Sequence, residues 1–323
     1  MERLGFAFNG APAVPETMEL ARLAERNGFE SVWVGETRFL RDAIVPAAAI
    51  ACATQRIQVA TGVVNVFTRG PVLTAITFAT LDELSGGRAI LGIGTGSPLV
   101  LAPQGIAFDR PVTRLREYVQ VARALLAGER VDYKGRTIGV TGARLDFCPL
   151  RRSIPVYLGV TGPKALALAG EIADGMLLNA FLPAAYVPRA LGRIAEGARR
   201  AGRDPREVDV GQALFVSVDQ ASEVAKARLR PFIALYLTRF PHIAKESGLP
   251  EERWNRIQAA VAAGGLERGA EEVGNDLVDA LVVAGTPEEC RARINEYREA
   301  GVAVPVLFPI EPSLRMALET LGG

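Results

Sequence analysis

Residues 57–97, IQVATGVVNVFTRGPVLTAITFATLDELSGGRAILGIGTGS, decide the fold. The stretch reads as strand, glycine-containing turn, helix, tight glycine turn and second strand. Gln58–Val63 is short, mostly apolar and rich in β-branched residues, the composition of a strand buried on both faces. Thr68 is placed to cap the helix that follows. Pro71 suits the first turn of that helix, where a missing N–H costs nothing. Leu73, Ile76, Thr80 and Leu84 recur at helical spacing, which predicts that this face packs on the sheet. Gly86 and Gly87 stop the helix, because glycine takes positive φ without a Cβ clash. Arg88–Gly94 is then the second strand. A strand–helix–strand unit of this length pairs its strands in parallel through a right-handed crossover. The glycine-marked tips, Gly62 and Gly92–Gly96, therefore share one carboxyl edge of a sheet, where chemistry is expected.

Working outward, the same alternation runs along the chain. Strands are predicted at Leu4–Asn9, Ser31–Glu36, Pro155–Val160, Gly175–Asn179, Asp209–Val218 and Val304–Ile310, besides the two in the opening stretch. Helices fall at Pro15–Asn27, Asp42–Thr54 with Asp42 as cap, Val112–Leu126, Gly162–Ile172, Pro183–Ala201, Thr286–Ala300 and Ser313–Leu321. Ser97–Pro111 reads as a loop at the functional edge, and Arg130–Phe147 as a small hairpin excursion. Residues 219–279 are mostly helical and too long for one barrel helix, with breaks at Ser247–Pro250 and Gly264–Gly265, so they form an insertion. Eight strands alternating with helices predict an α/β chain forming one (β/α)8 TIM barrel over 1–323, with a helical insertion between strands seven and eight. An open, doubly wound sheet is the alternative.

Composition limits the function classes. The chain has 323 residues, 49% hydrophobic, with a formal net charge of +1. Near-neutral charge gives no electrostatic reason to expect nucleic acid or an anionic membrane surface. The longest apolar run, Ala43–Ala53, is shorter than the roughly 20 residues a bilayer requires. No signal-peptide pattern opens the sequence, so a cytoplasmic location is expected. Cys52, Cys148 and Cys290 are odd in number and far apart, read as buried thiols without disulfide or zinc spacing.

In a barrel of this kind, function belongs to the carboxyl ends of the strands. The residues predicted there are Asn9, Glu36, Gly62–Asn65, Gly94–Ser97, Thr161–Lys164, Asn179 and Glu311. The set is rich in glycine, short of titratable groups and free of histidine, because the only histidine, His242, falls in the insertion. Zinc chemistry and a Ser-His-Asp triad are disfavoured, and no metal is expected. The clearest ligand signal is Val160-Thr161-Gly162-Pro163-Lys164, a strand turning into a helix where amides and the helix dipole favour an anion. The competing reading is an ordinary helix start with a solvated lysine. Glu36 ends an apolar strand beside the presumed pocket, either to orient or protonate a substrate or to pair with Arg38 or Arg41. Asp82 and Arg88 read as braces of the Ser85–Gly87 turn, Trp33 as core and Trp254 as packing within the insertion.

The block TGVVN…TLDELSGGRAILGIGTG, with VYLGVTGPKALALAGEIADGMLLN downstream, resembles the bacterial luciferase-like superfamily. The resemblance is strongest to its coenzyme F420-dependent methylenetetrahydromethanopterin reductase-like branch. It extends through GFESVWVGE, GTPEECRARINEYREAGV and PIEP, so it covers nearly the whole chain. TLDELSGGR alone is shared by flavin and deazaflavin members; TGV-x-N, GIGTG and the GxTGPK segment point to the deazaflavin branch. The resemblance implies a non-prolyl cis peptide at Gly62–Val63, a bulge behind the central ring of F420. It implies that Asn65 faces the cofactor and that Gly94, Thr95 and Gly96 line its ring. Gly159, Thr161, Gly162, Pro163, Lys164 and Asn179 complete the implied cofactor set, with the phosphate at Thr161–Lys164. Glu36 matches an acidic pocket residue and is the catalytic candidate. This chain departs from the relatives at Thr37, where they carry histidine, and at Ala7 and Ser97, where the methylene reductases carry acids. The implied function is hydride transfer between deazaflavin C5 and a small organic substrate, a methylene-tetrahydropterin-like compound among the candidates. An FMN-dependent luciferase-like monooxygenase and a non-catalytic cofactor-binding protein stay open as alternatives. A homodimer is implied by the resemblance alone.

Overall fold

In the computed structural model, which describes residues 2–8, 12–36 and 39–322, the strand–helix alternation closes on itself. The barrel strands are β1 (Gly5–Phe8), β2 (Ser31–Val34), β3 (Gln58–Thr61), β4 (Ala89–Gly94), β5 (Val156–Gly159), β6 (Gly175–Leu178), β7 (Asp209–Val218) and β8 (Val304–Pro309). Each pairs in parallel with the next, and β8 returns to β1, as in Gly5 opposite Val306. This closure excludes the open-sheet alternative, which would leave two strands unpaired on one side. The expected strand ends are within two residues of the observed ones. Asn9, Thr37 and Arg38 lie outside the described residues.

Helices α1 (Val14–Arg26), α2 (Ile44–Ala53), α3 (Pro71–Ser85), α4 (Pro111–Leu126), α5 (Pro163–Ile172) and α6 (Val187–Arg200) follow β1 to β6 in turn. Asp42 accepts hydrogen bonds from the amides of Ile44 and Val45, the capping role expected of it at the start of α2. After β7 come α7 (Ser222–Arg239), α8 (Pro241–Glu246), α9 (Glu251–Glu271) and α10 (Asn275–Leu281), which form the insertion. The expected breaks are present: Ser247–Pro250 separates α8 from α9, and Gly264 and Gly265 leave helical geometry inside α9. An unexpected short strand, Val283–Gly285, pairs in parallel with Val216–Val218 of β7. Then α11 (Pro287–Glu299), opened by the Thr286/Glu289 capping box, leads to β8, and α12 (Leu314–Leu321) closes the chain. The hairpin excursion is Val131–Lys134 against Gly139–Ala143. The segment read as a loop after β4 instead carries helical turns at Pro98–Leu101 and Ala102–Gln104. None of the described helices is long and apolar enough to cross a membrane.

Three local expectations fail, each for a physical reason. Helix α3 buries Thr74, Ala75, Phe78, Ala79, Leu81 and Asp82, whereas Leu73, Ile76 and Leu84 are 53%, 39% and 48% exposed and Thr80 is also exposed. The helix is apolar nearly all round, so two stripes share the helical period. The stripe with alanines lets the backbone approach the barrel. Thr68 does not cap α3; Gly70 stands at that position, and the Thr68 hydroxyl donates to the Asn65 carbonyl. Cys52 and Cys148 are exposed free thiols, because α2 turns Cys52 outward and Cys148 sits in a surface connection. Cys290 alone is buried, and burial pushes its thiol up to about 12.

The amino-terminal end of the barrel is closed by charge. Arg3 donates to both Glu30 and Asp209, and the Tyr157 hydroxyl donates to Asp209 at 2.6 Å. Burial opposes charge on Asp209, yet the hydrogen bonds from Arg3 and Tyr157 outweigh it and hold the carboxyl below the usual range. Higher in the barrel, Trp33 of β2 meets Tyr157 of β5 edge-on, with ring centroids 5.3 Å apart. Strands β2 and β5 are not neighbours, so these rings meet across the barrel interior and form the floor of whatever lies above. Asp82 and Arg88 brace the α3–β4 turn as expected. Asp82 accepts from Arg151 and the Ala89 amide, while Arg88 donates to the carbonyls of Ala51, Thr54 and Ile57.

Candidate active site

At the carboxyl ends of β3, β4 and β5 the inner surface is glycine. The Gly62–Val63 peptide is cis, as the resemblance implied. The Val63 side chain then lies across Gly94 and Gly159. A Cβ on Gly94 would fall 2.7 Å from Val63 Cγ2 and 2.9 Å from the Gly159 carbonyl oxygen, and one on Gly159 would fall 2.9 Å from Val63 Cγ1. Contacts this short are excluded, so only glycine admits Val63 here. Beyond the cis bond, Val64–Asn65 pairs alongside Ile93 and Gly94. Asn65 is buried; its Oδ1 accepts from the Phe67 amide, and its Nδ2 extends over Gly96. Gly96 has φ of 63°, and a Cβ there would sit 1.9 Å from that Nδ2. Thr95 stands half-exposed between the two glycines. The structure thus brings Gly62, Val63, Asn65, Gly94, Thr95, Gly96 and Gly159 together on one side of the mouth.

The second expected group forms the adjoining corner. Gly162 is the N-terminal boundary of α5, Pro163 occupies its first turn, and no side chain caps the helix. Thr161 is buried; its hydroxyl accepts from Asn179 Nδ2 at 3.4 Å, and its carbonyl accepts from the Tyr186 hydroxyl at 2.8 Å. Asn179 in turn accepts, through its carbonyl, from Gln212 of β7. This chain of bonds ties the tips of β5 and β6 to the body of β7. Gly162, Pro163 and Lys164 are exposed, and a Cβ on Gly162 would meet nothing within 4 Å. An uncapped helix start facing open space is suited to an anion.

Of the two arginines expected as partners of Glu36, Arg38 lies outside the described residues. The Glu36 Oε1 pairs with Arg69 Nη2 at 3.2 Å, and the same nitrogen is 4.0 Å from Asp42. Arg69 follows the Val64–Asn65 strand, so the pair bridges the tips of β2 and β3. Arg69 Nε and Ser97 Oγ are buried without a hydrogen-bond partner in the described structure. The sequence signal for Arg69 was weak: an arginine in a Thr-Arg-Gly-Pro connection, long-range to its acid. Also unread in the sequence were Phe215 of β7 and Phe308 of β8, opposite the glycine side. Their rings are parallel within 5° and 5.9 Å apart. Glu311 is exposed, His242 is exposed on α8 with its ring edge-on to Phe240, and the Trp254 indole donates to the Leu237 carbonyl inside the insertion.

A cavity of about 550 Å³ lies outside the barrel between α4 and the hairpin. Its acid, Glu117, is already engaged by the amides of Arg136, Thr137 and Ile138 and the Thr137 hydroxyl. Burial opposes its charge, but these four donors win and hold the carboxyl below the usual range. That acid supports a turn and is not available to a ligand.

The family model of luciferase-like monooxygenases matches residues 2–303. The chain belongs to this family. It is 36% identical over 322 residues to a 5,10-methylenetetrahydromethanopterin reductase of Methanolobus tindarius, covering 98% of each chain. A reductase of the same description from Archaeoglobus fulgidus is 33% identical, with 93% of this chain and 92% of that one covered. Among solved structures, the coenzyme F420-dependent tetrahydromethanopterin reductase of Methanopyrus kandleri superposes with a TM-score of 0.91 at 30% identity, over 100% of this chain and 98% of that one.

Proposed function

We propose that this protein is a coenzyme F420-dependent oxidoreductase that transfers a hydride between deazaflavin C5 and a small organic substrate. The carrying observation is the cradle itself: Val63 laid across Gly94 and Gly159, beside the uncapped start of α5. Glycine at the tips of β4 and β5 lets the Val63 side chain lie across them as a support for a broad flat ring, and Gly162 leaves room for a phosphate next to it. Near full-length similarity to F420-dependent reductases supports the same reading. When bound, F420 supplies hydride exchange at C5 of its central ring. The chain's own residues do the rest. Val63 and Asn65 support one face of the ring, and Gly94–Gly96 border it. Thr161, Gly162, Pro163 and Lys164 hold the phosphate, with Gly159 and Asn179 shaping that corner. Glu36, oriented by Arg69, is the group that holds or passes a proton at the substrate. Closing the water out of such a site strengthens each of these contacts.

A methylene-tetrahydropterin-like compound is the first substrate to test, given the relatives. Titration of apoprotein with F420 and with FMN, followed by absorbance, tests the cofactor; anaerobic oxidation of reduced F420 with added acceptors then tests catalysis. F420 binding with turnover is the expected outcome. Tight FMN binding with indifference to F420 would reverse the assignment to the flavin monooxygenase reading, and F420 binding without turnover of any acceptor would favour a cofactor carrier.

We also infer that two copies pair through the exposed face of α3. Leu73, Ile76 and Leu84 form an uncovered aliphatic stripe there, and Val45 is exposed on the neighbouring α2. Isolated exposed aliphatics are ordinary, and a stripe of them along one helix supports pairing of two copies there. Sedimentation of the wild type should show a dimer that Ile76→Asp converts to monomer; a monomeric wild type removes the idea.

A further inference from the structure

Resting on the F420 reading, we propose that Phe215 and Phe308 form the substrate's wall of the site and select an uncharged, ring-bearing substrate. The first step is direction. A Cβ on Gly5 would meet Ser31, Trp33 Nε1 and Val306 Cγ2, and Trp33 reaches across the barrel to Tyr157, so Val306 faces the interior. Alternation along a strand puts Phe308, two residues on, on the same inner surface one layer higher. Phe215 lies opposite Phe308 in the β7–β8 ladder and faces the same way. Both rings are only partly buried. The outer surface of a barrel strand is covered by helices, so their exposed portions open on the mouth.

The wall is reinforced from behind. Phe181, just past β6, holds a left-handed backbone with φ of 61°, rare for a residue with a side chain. That conformation carries its fully buried ring to 4.7 Å from Phe215 and 4.1 Å from Tyr236 of α7. From α7, Tyr236 at 5.6 Å and Phe232 at 6.0 Å add further contacts to Phe215. Strain of this sort persists where packing over-determines it, and here that packing fixes the orientation of a ring at the mouth. The barrel mouth therefore has two unlike halves: glycine on β3 to β5, aromatic on β7 and β8.

Charge past the strand ends is present on both sides, but on the β7 side Asp219 is already paired with Arg228. Glu36, Arg69 and Lys164 belong to the β2, β3 and β5 tips. The single charged residue within β7 and β8 is Asp209, at the opposite end of the barrel. Glu311, three residues past Phe308, is exposed and acidic, which disfavours an anionic group on that side. An apolar ring lying between Phe215 and the glycine half would meet aromatic faces without desolvating a charge.

Calorimetric titration of the F420-loaded protein with acetophenone, acetone and benzoate tests this. Acetophenone should bind about tenfold or more tighter than acetone, and benzoate no better than acetone. Phe215→Ala and Phe308→Ala should each remove most of the ring preference while F420 affinity stays within about twofold of the wild type. Phe215→Leu, gentler to the fold, should retain part of it, with thermal denaturation confirming the folded state. Equal binding of acetone and acetophenone, tighter binding of benzoate, or variants that weaken F420 and leave the ring preference intact would overturn the proposal. A wild type that fails to bind F420 refutes the cofactor reading instead, and the same titrations on unloaded protein still read the wall.

Discussion

Replacing Gly162 by alanine separates ligand binding from folding more cleanly than any other change at the site. The position has φ of −72° and ψ of 151°, open to any residue, and the added Cβ meets nothing within 4 Å. Two small effects on stability oppose one another. Alanine is a poorer N-cap than glycine by about 0.5–1 kcal/mol, while loss of glycine freedom in the unfolded chain returns about 0.4–1 kcal/mol. The net should lie within about 0.5 kcal/mol of zero, a shift of a degree or two in Tm for a chain of this size. The methyl does occupy the space proposed for the F420 phosphate. Displacing an anion from its closest approach to the start of α5 should weaken F420 about tenfold, or about 1.4 kcal/mol. The assay is a pair of measurements on one preparation: F420 titration by absorbance, and thermal unfolding without cofactor. Unchanged Tm with weakened F420 is the expected pattern. Unchanged Tm with F420 affinity within about twofold of wild type would place the phosphate elsewhere.

Three further outcomes follow from contacts described above. Gly94→Ala forces Val63 and the Gly159 carbonyl apart from starting separations of 2.7 and 2.9 Å, so it should cost about 1–3 kcal/mol and weaken F420 as well, read by thermal unfolding and titration. Glu117→Gln removes a carboxylate that accepts four hydrogen bonds, for about 2–3 kcal/mol by denaturant unfolding near neutral pH. The folded pKa of Glu117 is depressed below 4.5, so its contribution is complete above that pH and fades as pH falls through the folded value; the gap between wild type and variant should close on acidification. Asp82→Asn should cost about 2–3 kcal/mol, less than for a fully buried pair because Arg151 can turn to water, and hydrogen exchange should quicken at Ala89.

The parts of the fold that were legible are those set by short-range chemistry. Pro71, Gly86 and Gly87 bracket α3 where backbone conformation demands them, and Thr286 with Glu289 builds the expected capping box. The strand count followed from β-branched runs, and counting to eight sufficed to anticipate closure. Where a helix is apolar on every side, as in α3, the period cannot say which stripe turns inward; the alanines decided it by permitting close approach. The glycine half of the candidate site was readable because Gly94, Gly96 and Gly159 meet backbone requirements that few residues meet, whereas the cis bond at Gly62–Val63 was implied by the resemblance alone. The half proposed to face the substrate was not readable, because it depends on side chains far apart in sequence. Glu36 pairs with Arg69, 33 residues on, and Phe215 meets Phe308 only through the β7–β8 ladder.

The ten-residue strand β7 has a consequence for how this barrel changes over evolutionary time. Its first residues pair with β6 and its last three with Val283–Gly285, so the chain leaves for the insertion after Val218 and re-enters the same ladder at Val283, opposite Val216. The excursion begins and ends on one ladder, and its two ends are stapled together independently of what lies between. Lengthening, shortening or exchanging the four helices then changes loop-closure entropy only slowly with length, and leaves the ring of eight strands in register. The insertion behaves as an interchangeable cartridge, plugged in directly above Phe215. A change there bears on Phe215 and leaves the glycine half of the mouth in place.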